Sequence, residues 1–262
     1  GSTGLSLSFV SLNILEEKPR LSGLPSTFGD KGECTCVEIV CEDVHTGLKV
    51  VLLYTAFEKA DVITRSVRIV NAGKAPLYLT RVLSACLDMD DKEFEVLSLH
   101  GSWARERQIQ RMPVGYGRYS VESLRGESSH QEHPFMALLT KGTNQEYGEV
   151  YAMHFVYSGN FKALVEKDQF DQIRMVMGIH PEDFKWKLES GCEFQAPEVV
   201  LVYSGEGLGK MTRAFHDFYR NHLIQGTYRD KERPVLINNW EATYFDFDKE
   251  KLIQIAKEAA QS

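Results

Sequence analysis

Arg233-Pro234-Val235-Leu236-Ile237-Asn238-Asn239-Trp240-Glu241-Ala242-Thr243-Tyr244 is the stretch whose reading decides the fold. A proline opens it, at the strand position where a missing N–H does little harm. Val235, Leu236 and Ile237 then read as a strand buried on both faces. Two amides and an indole end the run abruptly. Beyond them Asp248 stands as a helix N-cap with Glu250 in the first turn. Leu252, Ile253, Ala256, Ala259 and Ala260 form an apolar stripe suited to packing on a sheet. Strand, aromatic loop and amphipathic helix in this order predict the first βα unit of a (β/α)8 barrel, a fold whose active site is built from loops at the carboxyl ends of the strands. The sequence stops at Ser262 in mid-pattern. The expectation is the front portion of a larger enzyme.

Upstream the period changes. From residue 34 to residue 203 the chain reads as strand after strand: Val37–Val40, Leu48–Tyr54, Val62–Ile69, Leu77–Leu83, then runs near 120–124, 135–139, 150–157, 161–165, 173–178 and 198–203. β-Branched and aromatic residues are dense. Turn signals such as His45-Thr46-Gly47, Asn71-Ala72-Gly73 and Glu189-Ser190-Gly191 separate the runs. About a dozen antiparallel strands predict a sandwich larger than the usual small one. Met211, Ala214, Phe215, Phe218 and His222 then share one helical face, predicting a helix over about Leu208–Ile224, and Gly226 marks its stop. The fold class is therefore mainly β: a large two-sheet antiparallel β-supersandwich, followed by a linker helix and the first strand and helix of a truncated barrel. The divisions are residues 1–4 as a cloning scar, 5–207 as the sandwich, 208–232 as linker helix and polar connector, and 233–262 as the barrel start.

Composition narrows the partners. A chain of 262 residues can bury a real core, and its net charge of −7 comes without a basic run. That argues against nucleic acid or an anionic membrane surface as partner, and no apolar run reaches the ~20 residues of a membrane span. The cysteines number five, Cys34, Cys36, Cys41, Cys86 and Cys192, and no N-x-S/T sequon occurs. An odd count in a chain this long reads as a reducing, cytoplasmic compartment. Cys34-x-Cys36 with Cys41 has the wrong spacing for zinc, and the first two share a strand face as small hydrophobes.

At this point the residues resemble glycoside hydrolase family 36, the bacterial and fungal α-galactosidases. The landmarks run through the chain in order: Val62-Ile63-Thr64-Arg65-Ser66, Trp103-Ala104-Arg105-Glu106-Arg107, Ser128-Ser129-His130-Gln131, Val156-Tyr157-Ser158-Gly159-Asn160-Phe161, Pro197-Glu198-Val199-Val200-Leu201 and Asn238-Asn239-Trp240-Glu241-Ala242-Thr243. The resemblance implies an N-terminal supersandwich, a linker helix, a catalytic barrel and a small C-terminal β-domain. It implies a retaining hydrolase that releases terminal α-linked galactose from oligosaccharides, with no cofactor and no metal, and a homo-oligomer, tetrameric in full-length members. In the family one carboxylate is the nucleophile, in a Lys-x-Asp motif on a middle barrel strand, and another is the acid/base. An early barrel strand carries Leu-Asp-Asp-Gly-Trp. No barrel strand of these 262 residues carries any of them, so no catalytic residue is assigned and the fragment itself is expected to be inactive and structural. The N-terminal loop that reaches a neighbour's active site in tetrameric members is missing as well.

The binding candidates are Trp240, Asn239 and Tyr244. A flat indole at the rim of a barrel suits stacking on the apolar face of a pyranose, and the family places this tryptophan in the galactose pocket; the alternative is a core tryptophan under the loop. Asn239 and Tyr244 flank it as hydrogen-bonding or supporting groups. Glu241, Asp246 and Asp248 are rejected as an acid/base pair, because neighbours on one loop cannot straddle a glycosidic bond. His130 and His133 beside Ser128 and Ser129 form a polar loop without an orienting carboxylate. Trp103 with Arg105 and Arg107 reads as a sugar-stacking patch or an interface anchor. Asp88-x-Asp90-Asp91 lacks the glycine and the terminal Glu of a calcium loop. Two other readings stay open: a stand-alone carbohydrate-binding or assembly module, and a related α-N-acetylgalactosaminidase.

Overall fold

The computed structural model describes residues 4–261. Residues 1–3 of the expected scar lie outside them. The chain divides into two compact units, Gly1–Leu223 and Ile224–Ser262.

The first unit is a run of antiparallel strands cut by the turn signals read above. The strands are β1 (Ser8–Leu15), β2 (Thr35–Asp43), β3 (Leu48–Phe57), β4 (Val62–Asn71), β5 (Leu77–Leu79), β6 (Leu83–Asp90), β7 (Glu95–Ser102) and β8 (Arg105–Pro113). They continue as β9 (Gly117–Ser123), β10 (Glu132–Leu139), β11 (Val150–Val156), β12 (Phe161–Lys167), β13 (Gln172–Ile179), β14 (Trp186–Leu188), β15 (Glu193–Gln195) and β16 (Glu198–Ser204). Ten of them form one sheet in the order β1-β2-β3-β4-β16-β11-β10-β7-β8, with β15 also on β4. A four-stranded sheet, β6-β13-β12-β9, and a two-stranded sheet, β14-β5, complete the set. The expected run over Leu77–Leu83 is thus split between two sheets.

Two apolar layers hold the unit together. Phe94, Met136, Leu138, Met153 and Phe155 of the large sheet pack with Phe161, Val165, Met175 and Met177 of the four-stranded one. On the other face, helix α1 (Gly207–His222) lays Leu208, Met211, Phe215 and Phe218 on Phe57, Phe135, Ala152 and Val202. Each such buried side chain contributes about 1.5–3 kcal/mol relative to exposure. Gly207 opens the helix at φ 74°, and a Cβ there would meet Asn144 O at 2.5 Å. The backbone comes this close because Gly207, Leu208 and Gly209 donate their amides to the carbonyls of Gly148, Asn144 and Gln145, which satisfies donors a helix start leaves open.

The segment before β2 is fixed by a buried charge pair. Lys18 Nζ lies 2.9 Å from Glu198 Oε1, and both side chains are sealed from solvent. The Thr27 amide and hydroxyl each donate to Glu198 Oε2 at 2.8 Å, and Lys18 Nζ donates to Thr27 O at 2.9 Å. Each buried charge is paired and hydrogen-bonded, as the interior requires.

The second unit differs from expectation at one element. Residues 232–239 carry no secondary structure, and the strand expected over 234–239 pairs with no strand among the described residues. A strand persists through ladder bonds to its neighbours, and this segment makes none among the described residues. Val235 is 94% exposed and Leu236 83%. A single turn, α2 (Trp240–Thr243), and helix α3 (Lys249–Ala259) follow. Asp248 caps α3 as the sequence indicated, its carboxylate accepting from Lys251 N at 2.8 Å. The apolar stripe of α3 forms, yet none of its residues is buried.

Candidate functional site: the Trp240 turn

The two amides shape the turn that presents the indole. Asn238 Oδ1 accepts from the Trp240 amide at 2.8 Å. Asn239 Nδ2 donates to Thr243 Oγ1 at 2.8 Å, and that hydroxyl donates back to Asn239 O at 3.0 Å. Thr243 is the one buried residue of this turn. Tyr244, at φ 48°, reverses the chain, and its amide donates to Trp240 O at 2.7 Å. An L-residue with positive φ is uncommon and marks a backbone held by its surroundings.

The result is an aromatic cluster with an open face. Trp240 meets Tyr244 edge-on at 5.5 Å and Phe245 at 4.9 Å and 89°, the arrangement that ring quadrupoles favour. Trp240 remains 43% exposed and Phe245 85%. Trp240 and Tyr244 are therefore brought together, while the Asn239 amide works inside the turn. Asn238, which the sequence marks only as the end of the run, and Thr243, to which it gives no role, set the geometry; an Asn-Asn pair before an aromatic is itself a turn signal. Asp246 and Asp248 belong to one knot at the start of α3: Lys251 Nζ reaches Asp246 O at 2.8 Å and Asp246 Oδ2 at 3.1 Å. Two carboxylates bound to one helix start do not face each other across a sugar.

The other sequence candidates separate. Trp103 is 81% exposed at the β7–β8 turn, where Ala104 and Arg107 both have positive φ. His130 lies in the loop before β10, whereas His133 is part of that strand. The acidic run holds side chains rather than an open cage: Arg174 grips Asp88 with two bonds of 2.7 and 2.8 Å, Gln172 donates to Asp90, and Lys167 to Asp91. The Arg174 bonds hold the Asp88 carboxyl below its usual range. Cys34 and Cys36 are buried, and burial followed by the neighbouring Cys36 pushes the Cys34 thiol up to about 11, an inert state. Lys59-Ala60-Asp61 does spell Lys-x-Asp, but it forms the short 3-10 turn between β3 and β4 rather than a barrel strand.

One constellation escaped the sequence reading. Ser98 Oγ lies 2.7 Å from His100 Nε2, and His100 Nδ1 lies 3.0 Å from Glu132 Oε2. The order hydroxyl, imidazole, carboxylate matches a nucleophilic triad. Its Ser98 is 1% exposed and also bonds the Tyr119 hydroxyl at 2.9 Å, so no substrate reaches it and the network serves to satisfy buried polar groups. The register pairs Glu132 with His100 across β10 and β7, a link that spacing along one chain does not display.

Comparison with known proteins now bears on these features. Residues 1–189 match the family model described as the glycosyl hydrolase family 36 N-terminal domain, and residues 193–262 match the melibiase model. The chain belongs to glycosyl hydrolase family 36. Within family 36 it is 50% identical over 262 residues to α-galactosidase AgaA of Geobacillus stearothermophilus, covering 100% of this chain and 36% of the relative. It is 45% identical over 260 residues to α-galactosidase Mel36A of Lactobacillus acidophilus, covering 99% of this chain and 36% of that one. The crystal structure of AgaA superposes with a TM-score of 0.97 at 50% identity, over 100% of this chain and 36% of the other. Variants of AgaA have been solved in complex with stachyose and with raffinose. The chain thus spans about a third of the length of these family 36 relatives, and the family relationship includes the Trp240 turn.

Proposed function

We propose that this chain is the N-terminal part of an α-galactosidase that releases terminal α-linked galactose from raffinose- or stachyose-type oligosaccharides with retention of configuration. The observation that carries the reading is continuous similarity to α-galactosidases along the whole chain, reaching through the aromatic turn. In this reading residues 5–207 form a bracing domain, 208–232 a linker, and 233–262 the start of the catalytic barrel. The exposed indole of Trp240 stacks on the galactose ring, with Tyr244 holding it edge-on and Asn239 fixing the turn. The nucleophile and acid/base, two carboxylates ~5–5.5 Å apart in a retaining enzyme, come from barrel strands beyond these residues. The parent enzyme needs no cofactor or metal and is a cytoplasmic homo-oligomer. That setting agrees with cysteines that are all free in the fold.

The kinetics of the parent enzyme test the site. Trp240→Ala is expected to raise KM for an aryl α-galactoside about three- to tenfold, the worth of one aromatic stack. An unchanged KM removes Trp240 from the substrate pocket. Hydrolysis of the same substrate by the 262-residue chain alone removes the assignment of the carboxylates to the later strands.

A further inference from the structure

On the face of the large sheet that carries α1, a cavity of about 250 Å³ opens between the helix and strands β7, β8, β10 and β11. That is just below the ~300–1,000 Å³ of common ligand pockets, room for one small molecule. The amides at the start of α1 hold the loop of residues 144–148 against the helix, and this sets Gln145 in the cavity wall. The cavity is made wholly of residues before Leu223.

Its two linings differ in chemistry. One is apolar and the larger: Leu97, Leu99, Ile109 and Leu208 line it, with Phe135 and Phe215 edge-on to each other at 6.0 Å. The other is polar and carries three imidazoles, those of His133, His154 and His216. His133 stacks on His154 with centroids 5.6 Å apart, the His154 Nδ1 atom shares a hydrogen bond with the Tyr219 hydroxyl, and Thr212 and Gln145 supply a hydroxyl and an amide. Burial keeps His133 and His154 neutral, lowering His133 and pushing His154 down to about 3, with His133 adding to the shift of His154 and Arg107 to both. A neutral imidazole, a hydroxyl and a primary amide each both donate and accept. No Asp, Glu, Lys or Arg lines the cavity among the described residues. A cation would find no carboxylate in this lining and would lose its hydration.

A ligand of this size with one apolar face and a rim of groups that both donate and accept is a single pyranose ring. Its C–H face covers the apolar wall, and its hydroxyls satisfy mixed donors and acceptors. We propose that this cavity is a binding site for a neutral hexopyranose. The site is shared between the sandwich and α1, and it does not depend on the role given to the Trp240 turn.

Titration of the 262-residue chain with galactose, with glucose and with sodium sulfate tests the site, read by calorimetry and by the imidazole resonances of His133 and His154. Saturable binding of at least one hexose is expected in the millimolar range, as befits a ligand so small, with no saturable response to sulfate. Thr212→Val and Gln145→Leu change exposed positions, leave the core intact, and are each expected to weaken hexose binding about five- to tenfold. The proposal is overturned if the folded chain gives no saturable response to either hexose. It is equally overturned if both variants bind as the parent chain does, or if sulfate shifts the same resonances. Trp240 kinetics in the parent enzyme do not enter this outcome, so the two readings fail separately.

Discussion

The unit through Leu223 and the segment from Ile224 onward obey the same local rules and reach opposite ends. In the first, the apolar runs inside the sheets find partners, the edge strand β1 excepted: Phe57, Phe155, Phe161 and Phe218 are sealed from solvent. In the second, an apolar strand pattern and a well-formed amphipathic helix leave Val235, Leu236, Leu252 and Ile253 exposed. Local signals therefore suffice for a cap and a helix, as Asp248 and α3 show. They do not suffice for a strand, whose hydrogen bonds are all made to other segments. Helix bonds are internal and form without neighbours, although most helical stability in proteins comes from packing.

Substitutions can break this contrast. Phe218→Ala removes a ring held edge-on to Phe57 at 4.7 Å and is expected to destabilise the first unit by about 3–5 kcal/mol in urea unfolding. A loss below ~1 kcal/mol would mean that α1 is an appendage rather than part of the core. A pH dependence comes next. The folded His154 binds its proton only near pH 3, against 6.5 for a free imidazole. The unfolded chain thus takes up protons first as pH falls. The stability linked to this group is full above about pH 6.5 and declines steadily toward pH 3; His154→Gln should flatten that part of the profile, and an unchanged slope in the variant would show that other groups set it. The smallest effects belong to the second unit. Asp248→Ala is expected to weaken α3 by about 1 kcal/mol, seen as faster amide exchange at Lys251 with no change in the exchange of β10 or β11. Leu252→Ala should stay within about 0.5 kcal/mol; a larger loss would reveal packing that the exposure of the stripe does not show.

How far the fold was legible follows the same line. β2, β3 and β4 could be read because tight turns such as His45-Thr46-Gly47, where the Gly47 amide returns to Asp43 O at 2.8 Å, bracket apolar runs. β8 could not: Arg105–Pro113 is exposed on nearly every residue, so its strand character comes only from pairing with β7. β1 escaped because its apolar residues lie on a sheet edge and alternate with nothing buried. At the candidate site, the turn and the exposed indole were foreshadowed by Asn238, Asn239 and Trp240. The His133–His154 stack and the Ser98–His100–Glu132 network were not, since each joins side chains that only strand register brings together.

The place of β16 has a consequence for how the molecule is made. This late strand is the bridge between β4 and β11, and among the described residues it alone joins β1–β4 to the other half of the large sheet. Thr27, near the start, waits 171 positions for the carboxylate that receives it. On a ribosome, where a chain grows by roughly 5–20 residues each second, the two half-sheets emerge first, each with a raw flank inviting the wrong partner. Assembly is gated by the arrival of the last strand, and so the nascent polypeptide, more than the finished one, is where this architecture is most vulnerable.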